Sequence, residues 1–251
     1  MNISEKNFNK IFNGFLCLIA ILMIFRKPCS ILIVVFAVFN LIFYKKLNFT
    51  RKVLIFTACI ASPVLLELLL FWNNDSLVKG LKAIEKSTSL VIFPLFIIGN
   101  FQRVNFLKLL QIYTLGTTLV LFFFFIRFNV LFPELMHKYL NGVHLWEMGY
   151  QFGNSVGIHA PALNMHLAFV TVTAFYFVIR SFKDYEEFKY KILRILIFIL
   201  SFFFVLFVNT RMALVNVFIG FLIVLFYAIK QNNLKKIALR GLPLLALLAV
   251  V

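Results

Sequence analysis

The class of this protein is decided by residues 192–229, which read ILRILIFILSFFFVLFVNTRMALVNVFIGFLIVLFYAI. Two apolar runs, 192–208 and 212–229, are separated by the short polar turn Asn209-Thr210-Arg211. A membrane-spanning helix needs about 20 mostly apolar residues, and somewhat fewer when flanking Lys and Arg side chains reach back to the interface. The stretch therefore predicts two helices that cross a bilayer and reverse direction at the turn.

The composition of the whole chain also indicates a membrane protein. The chain has 251 residues, of which 63% are hydrophobic and 14% charged, and its mean hydropathy is +0.98. Soluble domains contain about 45–50% apolar and about 25% charged residues, so this apolar excess is too large to bury in one core, which excludes a cytosolic enzyme. The net charge of +16 comes from short basic clusters between apolar runs. Because such clusters are typical of membrane flanks, we expect no nucleic-acid partner.

We expect an all-α polytopic transmembrane helix bundle that forms a single domain over residues 1–251, with about eight spans plus a partial ninth. Three of the eight are short, the first, the second and the fourth, so each could instead be a re-entrant or tilted element. The ninth, Gly241–Val251, is half as long as a span and carries no basic anchor, so we expect a truncated chain. The eight are Ile11–Phe25, Cys29–Tyr44, Val53–Trp72, Ser87–Gly99, Leu107–Phe128, Ala162–Ile179, Ile192–Val208 and Met212–Ile229.

The distribution of basic residues predicts the orientation. If all eight segments cross with the N-terminus inside, 17 Lys and Arg fall in inside segments and 8 in outside segments. Short cytoplasmic loops collect positive charge, so the twofold bias favours a cytoplasmic N-terminus.

In that orientation the longest connection, residues 129–161, is an extracytoplasmic loop. Pro133 suits the first turn of a short helix and Gly142 suits its end. The segment could equally be an interfacial helix with no further role.

Histidine spacing gives no metal site. The pairs His137/His144 and His159/His166 are each seven residues apart and lack a third ligand in register. We therefore predict neither a metal nor a cofactor.

A second outside segment, residues 73–87, predicts a basic amphipathic helix with Asp75 as its N-cap. At 100° per residue, Lys79, Lys82 and Lys86 fall within about 60° of one another, and the opposite side is apolar. Lys and Arg usually collect on the cytoplasmic side, so three ammonium groups on an outside helix are unusual. Their presence favours an anionic ligand such as a lipid diphosphate. The alternative is a helix whose lysines only face solvent or lipid headgroups.

Two further charged residues stand out in apolar surroundings. Arg211 would be held at the outer membrane boundary, where its guanidinium could bind phosphate through two parallel hydrogen bonds, or it could be an ordinary helix-flanking anchor. Glu67 lies well inside an apolar segment, where an acid is a functional candidate or pairs with a basic residue of a neighbouring helix.

Residues 209–220, NTRMALVNVFIG, resemble the O-antigen ligase and polymerase family, whose helices carry a Ser-Arg-small-Ala-Leu-like pattern at this place. Residues 85–94, EKSTSLVIFP, are similar to a basic-to-Phe-Pro segment of some members, and residues 157–161, GIHAP, to a His-Pro stretch. Here Asn-Thr stands before the arginine where the family has Ser, and one Ala separates the His from the Pro.

The resemblance implies a bacterial inner-membrane enzyme that transfers a glycan from undecaprenyl diphosphate to a membrane lipid or glycan acceptor at the periplasmic face. It implies that Lys86 and Arg211 contact the diphosphate, that Lys79 and Lys82 steer it, and that His159 makes a polar contact near the sugar. Family members continue into a large periplasmic loop that this chain does not reach, in agreement with the expected truncation.

Two other functions fit the same residues. A lipid-linked sugar transporter or flippase would also use basic residues and a membrane acid, although transporters usually contain internal repeats and none is visible here. The chain could also be an inactive membrane fragment or a scaffold.

Overall fold

The computed structural model describes residues 3–143, 145–184 and 187–230, and within them every regular element is a helix. This confirms the all-α class. The chain divides into two compact units, residues 1–109 and 110–251, called unit 1 and unit 2 below. The single-domain interpretation stays a prediction.

Twelve α-helices and three short 3-10 helices make up the described chain. The 3-10 helices are Tyr44–Lys46, Phe71–Asn73 and Ile98–Arg103. The α-helices are α1 Glu5–Leu22, α2 Arg26–Ile42, α3 Arg51–Ile60, α4 Ser62–Leu69, α5 Leu77–Ser87, α6 Ser89–Ile97, α7 Phe106–Leu131, α8 Pro133–Leu140, α9 Leu145–Val156, α10 Ala160–Lys183, α11 Phe188–Val208 and α12 Arg211–Lys230.

Unit 1 packs around one face of α1. Phe8, Phe12 and Leu16 recur every four residues on that face and are buried. They pack against Phe36 of α2 and Phe96 of α6, whose side chains are also buried. The helical period of large apolar residues therefore creates the core of this unit.

One arginine joins three elements of unit 1. Arg103 Nη1 donates to Glu5 Oε2 at 2.7 Å and to Asn9 Oδ1 at 2.8 Å, both on α1. Its Nη2 donates to the Lys46 carbonyl oxygen at 2.7 Å, at the end of the first 3-10 helix. The side chain of Asn13 in turn donates to the Arg103 carbonyl oxygen at 2.7 Å. We call this set of contacts the Arg103 clasp.

Unit 2 is organised around α10, which packs against α9, α11 and α12. Glycines allow the helices to approach one another closely. A Cβ on Gly149 of α9 would overlap the carbonyl oxygen of Val208 at the end of α11, and one on Gly220 of α12 would overlap Val172 of α10. α7 packs through large rings, because Phe125 contacts Phe152, Phe203, Phe204 and Phe207.

Four described helices are long and apolar enough to cross a membrane, namely Phe106–Leu131, Ala160–Lys183, Phe188–Val208 and Arg211–Ile229. They coincide with the last four expected spans and suggest a protein embedded in a membrane. The expected count of about eight is too high. Within the described residues the count rises to five if α3 and α4, which meet at a bend of 64°, form one broken span.

Physical reasons for the lower count lie in unit 1. The nine residues of α6 extend only about 14 Å, half the thickness of the hydrocarbon core. α1 carries three charged residues in its first two turns. Pro63 starts α4 and removes a backbone donor there, which explains the break after α3. The expected ninth segment, Gly241–Val251, lies outside the described residues.

The region expected to be a loop over residues 129–161 is mostly helical. α7 extends to Leu131, α8 begins at Pro133, and Gly142 has a positive φ of 75° just after α8. The predicted start and end of the short helix are therefore confirmed.

Candidate functional site

A groove in unit 1 brings basic side chains and an apolar wall together. It has a volume of about 880 Å³ and lies between the first turns of α2 and the facing sides of α5 and α6. Lys82 and Lys86 of α5 face Lys27 of α2 across it. We call it the basic groove.

The groove is positively charged. Among the described residues that line it, Glu85 is the one carboxylate against three lysines, so the lining carries a net positive charge. Thr88 and Ser89 add hydroxyl groups. The first turn of α2, where Lys27 lies, also presents the positive end of a helix dipole and contains no acidic residue.

The wall opposite α5 is apolar. Ile31, Ile33 and Val34 line the groove from α2, one turn beyond Lys27. Ile31 is 67% exposed although it is a large aliphatic residue. The groove is therefore lined by both cations and aliphatic side chains, which suits a ligand with an anionic head and an apolar chain.

The side of α5 that faces away from the groove packs against the residues before it in the chain. Gly80 is buried against the Phe71 ring, where a Cβ would come within 2.6 Å of a ring carbon. Ser87 Oγ donates to Glu67 Oε2 at 2.9 Å, which links α5 to α4. These contacts leave Lys82 and Lys86 on the side of α5 that lines the groove. They also show that Glu67 accepts a hydrogen bond from a hydroxyl group, whereas one of the two expectations was an ion pair with a basic residue.

Lys79 does not belong to the groove lining. Its Nζ lies 2.6 Å from Asp75 Oδ2, in an ion pair that is exposed on both sides. The prediction that Asp75 is the N-cap of α5 is wrong. Ser76 is the N-cap, because its Oγ accepts from the Lys79 backbone N–H at 3.3 Å. The steering role of Lys79 stays a prediction.

In unit 2, the turn between α11 and α12 presents Arg211. Asn209 ends α11 in the left-handed region, with φ 48° and ψ 61°, which Asn tolerates better than most residues. Thr210 Oγ1 accepts from Asn164 Nδ2 at 2.8 Å, and Asn164 is fully buried in α10. Arg211 follows as the first residue of α12; it is exposed and has no ion pair or hydrogen bond with the described residues.

His159 lies at the same end of unit 2 as Arg211. It is the N-cap of α10, and it is exposed with its ring edge-on to Tyr150 at 5.8 Å. Asn164, which contacts the turn before Arg211, is five residues further along α10, or about 7.5 Å along the axis. The α10 and α12 N-termini therefore present a histidine and an exposed arginine at one end of the helix bundle.

The expected site residues thus fall into two groups. Lys82 and Lys86 share the basic groove of unit 1, while His159 and Arg211 share one end of unit 2. Among the described residues, no three His, Cys, Asp or Glu side chains are arranged to hold a metal ion.

Sequence reasoning missed Lys27 and Asn164. Lys27 belongs to a basic pair directly before Pro28, on a connection that was expected outside the membrane. Basic residues usually collect inside, so this position could have indicated a functional role for Lys27. Asn164 is an amide inside an apolar helix, which by itself indicates a buried hydrogen bond.

Comparison of the chain with known protein families, with curated proteins and with solved structures finds no match. Its function therefore has to be inferred from the chemistry of these two groups of residues.

Proposed function

We propose that this membrane protein binds a lipid diphosphate in the basic groove and belongs to the bacterial glycan ligases and polymerases that use undecaprenyl diphosphate carriers. The observation that carries the proposal is the juxtaposition of Lys27, Lys82 and Lys86 with the aliphatic wall of α2. A diphosphate headgroup takes compact ammonium donors, and its prenyl chain takes the apolar surface next to them.

The proposed reaction uses the exposed end of unit 2. A hydroxyl of the acceptor attacks the anomeric carbon of the glycan, and the bond from that carbon to the diphosphate oxygen breaks. The diphosphate leaves with the electron pair, and the proton of the acceptor hydroxyl goes to water. The diphosphate of this reaction is bound in unit 2, where Arg211 stabilises its charge as it leaves and His159 contacts the sugar; the basic groove of unit 1 is a separate binding site for a lipid diphosphate. The acceptor is a membrane lipid or a glycan.

The proposed location is the bacterial inner membrane, with a cytoplasmic N-terminus and with Arg211 on the periplasmic side. The charge distribution supports this orientation, because residues 180–194, at the other end of α10 and α11, hold five Lys and Arg. A cysteine at Asn154 should react with an impermeant thiol reagent on intact cells, and one at Asp184 only after permeabilisation. The reverse pattern would exclude this orientation.

Binding of a short-chain prenyl diphosphate, such as farnesyl diphosphate, to the purified protein in nanodiscs tests the groove. Lys82→Gln and Lys86→Gln should each weaken binding about fivefold, and Lys27→Gln similarly, since each removes one charged contact. The loss should be larger at low salt, where charges are screened least.

Lys79→Gln is the matched control, since it removes a lysine of the same helix that lies outside the groove. Its affinity should fall less than that of Lys82→Gln, because steering from a distance contributes less than a direct charged contact. Equal losses in Lys79→Gln and Lys82→Gln would mean that only the general charge of α5 matters, and the groove would not be the binding site.

The arginine is tested by transfer activity at matched protein levels in membranes. Arg211→Ala should abolish transfer, and Arg211→Lys should restore it only partly, because Lys keeps the charge but lacks the planar fork that holds two phosphate oxygens. If Arg211 is only a helix-flanking anchor, Lys should serve as well as Arg.

A second candidate function, a lipid-linked sugar flippase, is favoured by one observation. The pair α3 and α4 bends by 64°, and Glu67 of α4 receives a hydrogen bond from Ser87. A broken helix with an acid is typical of transporters. Translocation of a fluorescent lipid-linked sugar in proteoliposomes that is lost in Glu67→Gln, with Arg211→Ala still active, would favour this function over transfer.

A further inference from the structure

A lateral groove in unit 2 lies between α7, α10 and α11, and the proposed transfer reaction does not use it. It has a volume of about 300 Å³, and its walls are mainly apolar, with contributions from Leu115, Ala174 and Ile197. Four polar side chains, Gln111, Thr114, Tyr190 and Arg194, also line it. A mainly apolar groove with a few polar groups suits an amphiphilic ligand.

The most informative of these polar groups is Thr114. The residue is 3% exposed, and its Oγ1 is buried with no hydrogen-bond partner among the described residues. A buried hydroxyl without a partner costs free energy, so native structures nearly always supply one from protein, water or ligand. Thr118, one turn later on α7, has such a partner, because its Oγ1 donates to the Thr114 carbonyl oxygen at 2.8 Å.

Arg194 supplies the charge of the groove. Its guanidinium carbon lies 5.2 Å from the centre of the Phe177 ring, which holds the planar group against α10. An arginine stacked on a ring keeps its N–H donors in the plane of the guanidinium, where they can reach phosphate oxygens. Tyr190, on the turn of α11 before Arg194, adds an exposed hydroxyl to the same groove.

We propose that this groove binds one anionic glycerophospholipid. The phosphate lies at Arg194 and Tyr190, an ester carbonyl accepts from the Thr114 hydroxyl, and one acyl chain follows the aliphatic wall. A glycerophospholipid fits better than a prenyl phosphate, because only the former has ester carbonyls at the depth of the glycerol. An anionic headgroup fits because Arg194 lines the groove and because residues 180–194 hold five basic against three acidic residues in the sequence, a net positive charge.

Native mass spectrometry of the detergent-solubilised full chain tests this lipid site. The probes are phosphatidylglycerol, phosphatidylcholine with the same chains, and a prenyl phosphate. The wild type should retain one phosphatidylglycerol in preference to the other two lipids. Arg194→Gln should lower its affinity about tenfold and Thr114→Val about fivefold, since the first removes a charged hydrogen bond and the second a neutral one.

Thr118→Val is the matched control, because Thr118 is equally buried on the same helix but does not line the groove. It should retain phosphatidylglycerol like the wild type. Equal retention in Arg194→Gln and the wild type would overturn the proposal, as would equal retention of all three lipids. Preferential retention of the prenyl phosphate would also overturn it and would assign the groove to the carrier lipid. Melting temperatures of the variants confirm that each remains folded.

Discussion

Units 1 and 2 are both helical, but different forces hold them together. In unit 2 long apolar helices pack closely around α10, with glycines at the points where backbones approach each other. In unit 1 the helices are shorter, one pair is bent by 64°, and the Arg103 clasp ties three elements together by side-chain hydrogen bonds. Long straight helices need only shape complementarity, whereas short ones leave backbone ends and turns that polar side chains must hold.

The largest effect on stability should come from a methyl group added to Gly149, where the backbones of α9 and α11 approach each other closely. Gly149→Ala places a Cβ against the Val208 carbonyl oxygen, so α9 must move away from α11. We expect a loss of about 3 kcal/mol or more in the free energy of unfolding, as for severe overpacking. Thermal unfolding in detergent micelles measures it.

Gly14→Ala is the matched control for that substitution. Gly14 lies on an exposed side of α1, and no atom lies within 4 Å of a Cβ built there. Alanine should therefore stabilise the helix by up to about 1 kcal/mol. If both alanines have the same effect, the contact with the Val208 carbonyl oxygen does not limit how closely α9 packs against α11.

The next largest effect should come from the Arg103 clasp. Arg103→Met keeps the aliphatic stem but removes the hydrogen bonds to Glu5, Asn9 and the Lys46 carbonyl. We expect unit 1 to lose about 2 kcal/mol, the range of a charged hydrogen bond. The readout is the labelling rate of Cys29, which is buried in unit 1, in a protein whose other two cysteines are serine. An unchanged rate would show that apolar packing alone holds unit 1.

A smaller effect is expected for the amide that supports the Arg211 turn. Asn164→Leu keeps the branching of the side chain but removes the hydrogen bond to Thr210, at a cost of about 0.6 kcal/mol in a membrane bundle. Hydrogen exchange at the backbone amides of residues 209–213 should nevertheless become faster. Asn216→Leu on α12, whose amide donates to the Met165 sulfur at 3.3 Å, should leave that exchange unchanged.

The smallest effect is a pH dependence of the Arg103 clasp. The hydrogen bond from Arg103 holds the pKa of Glu5 below its ordinary value of 4.5, and the contact with Lys46 acts in the same direction. A carboxyl whose pKa is lowered by folding stabilises the protein above pH 4.5, and this contribution is lost as the pH falls through the folded pKa. Relative to a free thiol at the same pH, Cys29 should thus be labelled faster as the pH falls below that value, and less so in Glu5→Gln.

Much of unit 2 could be predicted from the sequence. The four long spans, the start of α8 at Pro133 and its end before Gly142 all follow from local rules, since apolar run length and the backbone preferences of Pro and Gly act within a few residues. Unit 1 could not be predicted equally well. Whether an apolar run such as Ser87–Gly99 becomes a span or a nine-residue helix depends on what packs against it.

The candidate sites divide in the same way. The basic face of α5 was predictable, because Lys79, Lys82 and Lys86 follow the helical period. The periodicity could not show that Lys79 pairs with Asp75 and that Lys27 takes its place beside the other two. Which lysines line the groove depends on distances across helices, whereas the pairing of Lys79 with Asp75 follows from their spacing of four residues, which the period of the lysines alone does not include.

The sequence by itself determined that this chain is helical, that its long apolar helices suit a membrane, and that a tight turn at residues 209–211 separates the last two of them; the structure places Arg211 as the first residue of α12. These properties depend on composition and on neighbours within one helical turn. The tertiary structure alone decided the number of long spans, the basic groove between α2 and α5, and the buried Asn164 that holds the turn before Arg211. The groove and the Asn164 contact each join residues that are between about 46 and 60 positions apart in the chain. No local sequence pattern specifies which of two distant helices pack together.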